Sequence, residues 1–183
     1  MGRLYTEGWR VIPAFCALTL VASVTVAWAT AQTSPRPACT IVGTPGDDTL
    51  RGTSGRDVIC AGKGGDVIEA LEGRDVVFGG PGGDLITGGP GADRIRGGGG
   101  WDIVIGEDGP DRVFGDAGRD DVRGGPGHDR IVGGLGGDTC LSATDGHGGD
   151  RVIGGPGSDT ADRDPRDRVS TVERITELVC YGE

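Results

Sequence analysis

The sequence predicts an all-β protein built as a stack of short parallel coils, about thirteen half-coils in all, and three observations predict it. Nine-residue units recur in tandem, as in Gly79 to Ile105, which reads GGPGGDLIT, GGPGADRIR, GGGGWDIVI. The three share glycine at the first, second and fourth places, aspartate at the sixth and an aliphatic residue at the eighth. The unit also extends in both directions. Its sixth place is Asp48, Asp57, Asp66, Asp75, Asp84, Asp93, Asp102, Asp111, Asp120, Asp129 and Asp138, then, after a three-residue insertion, Asp150 and Asp159. The fourth place is glycine in all thirteen, from Gly46 to Gly157. Finally, a chain with 39 glycines and 4% aromatic residues lacks the large apolar side chains of an ordinary globular core.

Residues 1–31 carry Arg3 and Arg10, then an apolar run from Val11 to Trp28 and the small residues Ala29-Thr30-Ala31. This is the layout of a signal peptide removed after Ala31. A retained membrane helix is the competing reading, since the run is just long enough to span a bilayer, but Pro13 and the terminal Ala-x-Ala favour removal. Removal takes away Arg3, Arg10 and Glu7, one net positive charge from a chain of formal charge −10. Acidity of this degree disfavours nucleic acid and anionic membrane as partners. Residues 32–42 form a Pro-containing lead-in that ends on Ile41, at the eighth place of a virtual repeat where the first strand begins. Residues 43–162 hold the repeats, with no helical apolar spacing among them. Residues 163–183 change composition and cap the stack, as a short strand or as a helix using Val169, Val172, Ile175 and Val179.

Glycine at the fourth place, and usually at the first, permits a sharp turn through the first six residues. The last three run extended, with Leu50, Ile59, Ile68, Val77, Ile86, Ile95, Val104, Val113, Val122 and Ile131, then Cys140, Val152 and Ala161, as the single inward residue. Two strands and two turns close one coil of eighteen residues, and successive coils stack as parallel strands about 4.8 Å apart. The core between the two sheets is thin. Burying one Val or Ile per nine residues falls short of the entropy lost in ordering nine backbone units, glycine being the costliest.

Stacking places sixth-place aspartates eighteen residues apart, such as Asp84 and Asp102, within a few ångströms, where like charges repel. A cation between loops removes the repulsion and couples them. The donors are carboxylate and carbonyl oxygens with no phased His or Cys, which selects a hard ion. Calcium fits better than magnesium, because it accepts many oxygens in irregular geometry.

GGPGGDLIT and its neighbours resemble the hemolysin-type calcium-binding repeat, the RTX nonapeptide G-G-x-G-x-D-x-U-x, over most of the chain that follows the signal. The resemblance implies a right-handed parallel β-roll in which each calcium lies between two loops on one edge, held by sixth-place carboxylates and carbonyls of the glycine turn. It makes the thirteen aspartates the candidate metal ligands. Seven loops on one edge and six on the other leave gaps for at most about eleven ions. Loops at 79–84, 88–93, 97–102, 124–129, 133–138 and 154–159 keep both leading glycines. The loop at 70–75 keeps neither, and Thr44, Thr53, Glu107 and Asp116 replace the second glycine, which puts the turn geometry in question there. Ser142-Ala143-Thr144 is the expected bulge, with distorted sites on either side, and Asp159 has a neighbouring loop on one side only.

A nucleophile or acid–base constellation is missing, so no enzymatic activity is expected, and no pore-forming, lipase or protease activity transfers from the resembled family. His128 and His147 read as exposed loop residues, and Trp101 and Phe114 as loop and edge packing. Once the signal is gone four cysteines remain, allowing three disulfide connectivities. Because a stack keeps its ends apart, Cys39 with Cys60 and Cys140 with Cys180 are favoured; zinc is the alternative, disfavoured by the absence of C-x-x-C spacing. The chain reads as a secreted, extracellular, monomeric, calcium-binding repeat protein of unknown protein or envelope partner. The alternatives are a surface adhesion or envelope scaffold module stiffened by calcium, and a hydrolase.

Overall fold

A computed structural model describes residues 38–146 and 149–176. The expected signal segment, His147, Val179 and Cys180 lie outside the described residues. Within them the protein is all-β, with sixteen strands numbered in chain order and shared between two eight-stranded parallel sheets. The odd sheet stacks β1 (Ile41–Val42), β3 (Val58–Cys60), β5 (Val76–Pro81), β7 (Arg94–Gly100), β9 (Arg112–Gly118), β11 (Arg130–Leu135), β13 (Arg151–Ile153) and β15 (Arg168–Ser170). The even sheet stacks β2 (Thr49–Arg51), β4 (Val67–Glu69), β6 (Leu85–Thr87), β8 (Ile103–Ile105), β10 (Asp121–Arg123), β12 (Cys140–Ala143), β14 (Thr160–Arg163) and β16 (Arg174–Thr176). Chain order alternates strictly between the sheets, as two strands per coil requires.

The coil length appears directly in the register. Ile95 pairs with Val77 before it and Val113 after it, and Val104 with Ile86 and Val122, each eighteen residues away. Ile59, Val77, Ile95, Val113, Ile131 and Val152 of one sheet are fully buried against Ile68, Ile86, Val104, Val122, Leu141 and Ala161 of the other. The core is thus mainly one aliphatic side chain per strand, as the eighth place dictates, with Ala61, Ala70 and Ala143 added to it.

Three features differ from the expectation. In β5, β7, β9 and β11 pairing continues past the three extended residues into the next turn, through Gly80 with Gly98 and Gly98 with Asp116. The insertion is absorbed in two parts. Asp121 pairs with Cys140 while the Thr139 N–H already bonds the Asp120 carbonyl, so one extra residue bulges at Thr139–Cys140, earlier than Ser142–Thr144. The bulge puts Leu141, not Cys140, opposite Val122, and the larger aliphatic side chain fills the stripe. The other two extra residues lie between Ala143 and Asp150. Lastly, residues beyond 163 add a further coil: Val169 pairs with Val152 and Ile175 with Ala161, and neither belongs to a helix.

Cys39 and Cys60 form the expected disulfide, with Cα atoms 5.9 Å apart, beside the first paired strands. Cys140 is also disulfide-bonded; its expected partner, Cys180, is outside the described residues. Phe114 packs under Arg94 and Arg96, whereas Trp101 is 66% exposed.

A one-residue-deep core predicts a steep penalty for emptying it at mid-stack. Ile95→Ala should lower stability by about 2 to 5 kcal/mol, read as a fall in the urea midpoint of the folded chain. Ile175→Ala, at a side chain 53% exposed in the last strand, should change it by less than about 0.5 kcal/mol.

Candidate metal centre

Each sixth-place aspartate ends a glycine turn and starts a strand, so stacking the strands stacks the carboxylates along the two edges. On one edge run Asp48, Asp66, Asp84, Asp102, Asp120, Asp138 and Asp159; on the other, Asp57, Asp75, Asp93, Asp111, Asp129 and Asp150. Each carboxylate after the first reaches back one coil. Its Oδ1 accepts the backbone N–H of the aspartate before it on the same edge, in eleven bonds of 2.7 to 3.0 Å. The ladder passes the insertion intact, with Asp129 bonding Asp150 at 2.7 Å and Asp138 bonding Asp159 at 3.0 Å.

The other oxygen decides the chemistry. Oδ2 of Asp66, Asp75, Asp84, Asp93, Asp102, Asp111, Asp120, Asp129, Asp138, Asp150 and Asp159 is buried and has no hydrogen-bond partner. A buried polar atom without a partner is rare and costly, and a charged one more so. In eight of the eleven, all but Asp66, Asp75 and Asp150, the oxygen faces the space that glycine at the first place leaves open. A methyl group on Gly88 would lie 2.8 Å from Asp93 Oδ2 and 2.6 Å from the Gly106 carbonyl oxygen. One on Gly79 would meet Asp84 Oδ2 and lie 2.5 Å from the Gly97 carbonyl oxygen. Carboxylate and carbonyl oxygens from adjacent coils therefore converge where no side chain intrudes. No group of three or more His, Cys, Asp or Glu that would hold a metal occurs among the described residues, so a cation here would depend on backbone oxygens. The donor set fits a hard divalent cation such as calcium.

The loops with altered glycines sort into two kinds. Leu71, Glu107 and Asp116 adopt positive φ of 72°, 71° and 78°, the left-handed turn of the glycines they replace. Each such residue costs about 1 to 2 kcal/mol. The loop at 70–75, which keeps neither glycine, accordingly has the ordinary geometry, its Asp75 bonded at Oδ1 and unpartnered at Oδ2. Thr44 and Thr53 behave differently. The Thr53 N–H and hydroxyl both donate to Asp57 Oδ2, at 2.7 and 2.9 Å, and Thr44 does the same for Asp48 at 2.5 and 3.0 Å. In the first loop of each edge, threonine thus supplies the partners that the later carboxylates lack.

Two members of the ladder escape a strict nine-residue frame. Asp167 Oδ1 accepts the Asp150 N–H at 3.1 Å, and Glu173 Oε2 accepts the Asp159 N–H at 2.7 Å. Asp159 is therefore not terminal, contrary to expectation. Their signal was an acid followed by Arg and an aliphatic, Asp167-Arg168-Val169 and Glu173-Arg174-Ile175, repeating Asp93-Arg94-Ile95, Asp111-Arg112-Val113 and Asp150-Arg151-Val152. His128 is exposed, as expected.

The protonation equilibria follow the burial. Desolvation, partly offset by the N–H bond from the preceding coil and reinforced by adjacent carboxylates, pushes Asp111 up to about 8 and Asp102 and Asp129 up to about 7. Asp93, Asp120 and Asp150 are pushed up to about 6. Asp57 goes the other way, lowered chiefly by the Thr53 N–H.

Carboxylates whose folded pKa lies above the unfolded one make the folded state bind more protons. Their contribution is fully present below the unfolded value of about 3.9 and is lost as pH rises through the folded values. In chelator, the chain should therefore gain β-structure on acidification from pH 8 to pH 4, beginning near pH 8 and steepening below about 6 as further carboxylates take up protons. Far-UV circular dichroism checks this, and a β signal that falls on acidification would contradict it.

The RTX calcium-binding nonapeptide repeat, in four-copy form, matches residues 42–77, 78–113 and 105–140. No curated protein matches the chain. The three matches together run from Val42 to Cys140, more than half of the sequence, and coincide with the coils whose aspartate ladder is described above. The chain belongs to the RTX calcium-binding nonapeptide repeat family.

Proposed function

We propose that this is a secreted, non-enzymatic protein whose coils fold on binding several calcium ions between stacked loops. The observation that supports it most is the set of eleven buried carboxylate oxygens without partners, eight of them facing a glycine at the first place of the turn. Eleven is also the number of gaps between the thirteen loops. On this reading Asp66, Asp75, Asp84, Asp93, Asp102, Asp111, Asp120, Asp129, Asp138, Asp150 and Asp159 hold the ions together with turn carbonyls. Asp48 and Asp57 complete the first gap on each edge. The ions supply the positive charge that lets adjacent carboxylates stay ionised at neutral pH. Secretion is supported by the signal-like residues 1–31 and by the Cys39–Cys60 disulfide, a bond of oxidising compartments.

Folding and metal binding are then one equilibrium. The mature chain should be largely disordered in chelator at neutral pH, and millimolar calcium should produce β-structure cooperatively, followed by far-UV circular dichroism. Magnesium at equal concentration should fail, because it keeps its octahedral water shell and fits irregular carbonyl sets poorly. An unchanged spectrum between chelator and calcium, or full folding by magnesium, would refute the reading.

A further inference from the structure

Carboxylates crowd the turns of this protein, and arginines crowd one outer face. The strand position after the ladder acid is Arg94, Arg112, Arg130, Arg151 and Arg168 in five successive coils of the odd sheet, and register makes each the direct neighbour of the next. The row is straight, with a step of about 4.8 Å. All five are exposed, and none forms an ion pair among the described residues. The equivalent positions of the even sheet hold, among others, Val67, Leu85, Ile103, Asp121 and Thr160, with one arginine, Arg174, in the last coil. In a chain of net charge −10, five unpaired guanidinium groups side by side are a local concentration of one sign, unfavourable unless something anionic lies along it.

Beside the arginines, two residues along each strand, runs a second row of Phe78, Arg96, Phe114, Val132 and Ile153. Arg94 and Arg96 lie 6.0 and 5.3 Å from the centre of the Phe114 ring. Two surface depressions follow the arginine row. One of about 440 Å³ is lined by Arg56, Arg74, Arg94 and Arg112 together with the ladder acids Asp75 and Asp93, and one of about 330 Å³ by Arg151 and Arg168 among others.

We propose that this face of the odd sheet binds an extended anionic polysaccharide with an acidic group on each sugar, laid across the strands along the stack. The step between arginines is about one sugar residue long, and a guanidinium is suited to a carboxylate or sulfate through paired N–H bonds. The apolar members of the row beside it, Phe78, Phe114, Val132 and Ile153, suit the C–H faces of sugar rings. Single-stranded nucleic acid requires successive aromatic platforms, whereas the two aromatics of this face, Phe78 and Phe114, lie two coils apart with Arg96 between them. A membrane surface requires a broad basic or apolar area, and this row is one residue wide. Each arginine directly follows a ladder acid, so the carboxylates of Asp93, Asp111, Asp129, Asp150 and Asp167 weaken its field until cations are held among them. Binding accordingly belongs to the calcium-loaded form, and in that respect rests on the function proposed above.

The test uses the mature chain in calcium and a short, non-gelling, fluorescein-labelled oligogalacturonate, with anisotropy and circular dichroism recorded on the same samples. Saturable, salt-sensitive binding is expected. R112Q/R130Q/R151Q should weaken it by about tenfold or more at constant calcium. R51Q/R119Q/R174Q, which removes equal charge away from the row, should change it by less than about twofold. Folded chain that does not bind, or equal losses in the two variants, would overturn the proposal and leave the calcium reading standing. Tighter binding of an oligodeoxythymidylate of equal charge, or of phosphatidylserine vesicles, would overturn the polysaccharide as occupant. A chain that stays unfolded in calcium would refute the calcium reading and this proposal with it.

Discussion

The bond from each aspartate carboxylate to the backbone N–H of the aspartate one coil earlier is what the rest of the structure depends on. It fixes the register of the coils at their edges, where parallel pairing of three-residue strands alone is weak, and it orients every carboxylate identically. With Oδ1 committed to the neighbour, Oδ2 has to point into its own glycine turn. The same geometry that aligns the coils therefore leaves a row of buried acceptors without donors. A fold with a core one side chain deep carries this burden only when a proton or a cation relieves it. Structure and ion dependence thus have one cause.

Much of this was legible in the sequence because the period is strict. Aspartate every nine residues, alternating between two strands, dictates two edges, and the aliphatic two residues later dictates a single buried stripe. What escaped was local. Nothing in the spacing showed that Thr44 and Thr53 would turn inward and donate to Asp48 and Asp57, because a β-branched side chain avoids the left-handed turn that Leu71, Glu107 and Asp116 accept. Leu141 replaced Cys140 in the stripe because a frame counts residues, whereas packing selects the larger aliphatic. Asp167 and Glu173 were missed because the last coil is shorter than eighteen residues.

Net charge was the least informative sequence property. A total of −10 suggests a uniformly acidic surface that repels polyanions. In the fold the ladder carboxylates are buried, while Arg94, Arg112, Arg130, Arg151 and Arg168 stand outside on one sheet. Arg94, Arg112 and Arg130 could be read as a row from their spacing of eighteen; Arg151 and Arg168 join it only because the insertion and the shortened last coil restore the register.

The central claim is that the unpartnered carboxylate oxygens are what calcium answers. The double variant Asp93→Asn/Asp111→Asn tests it most directly, because an amide keeps the oxygen that accepts the neighbouring N–H and turns its NH2 group toward the Gly106 and Gly124 carbonyls. Both charges vanish and both orphan atoms gain an acceptor, with no change in shape. Calcium titration followed by circular dichroism should show more β-structure than the parent in chelator at pH 7, and a weaker response to added calcium. A calcium midpoint and a chelator spectrum both identical to the parent's would contradict the account.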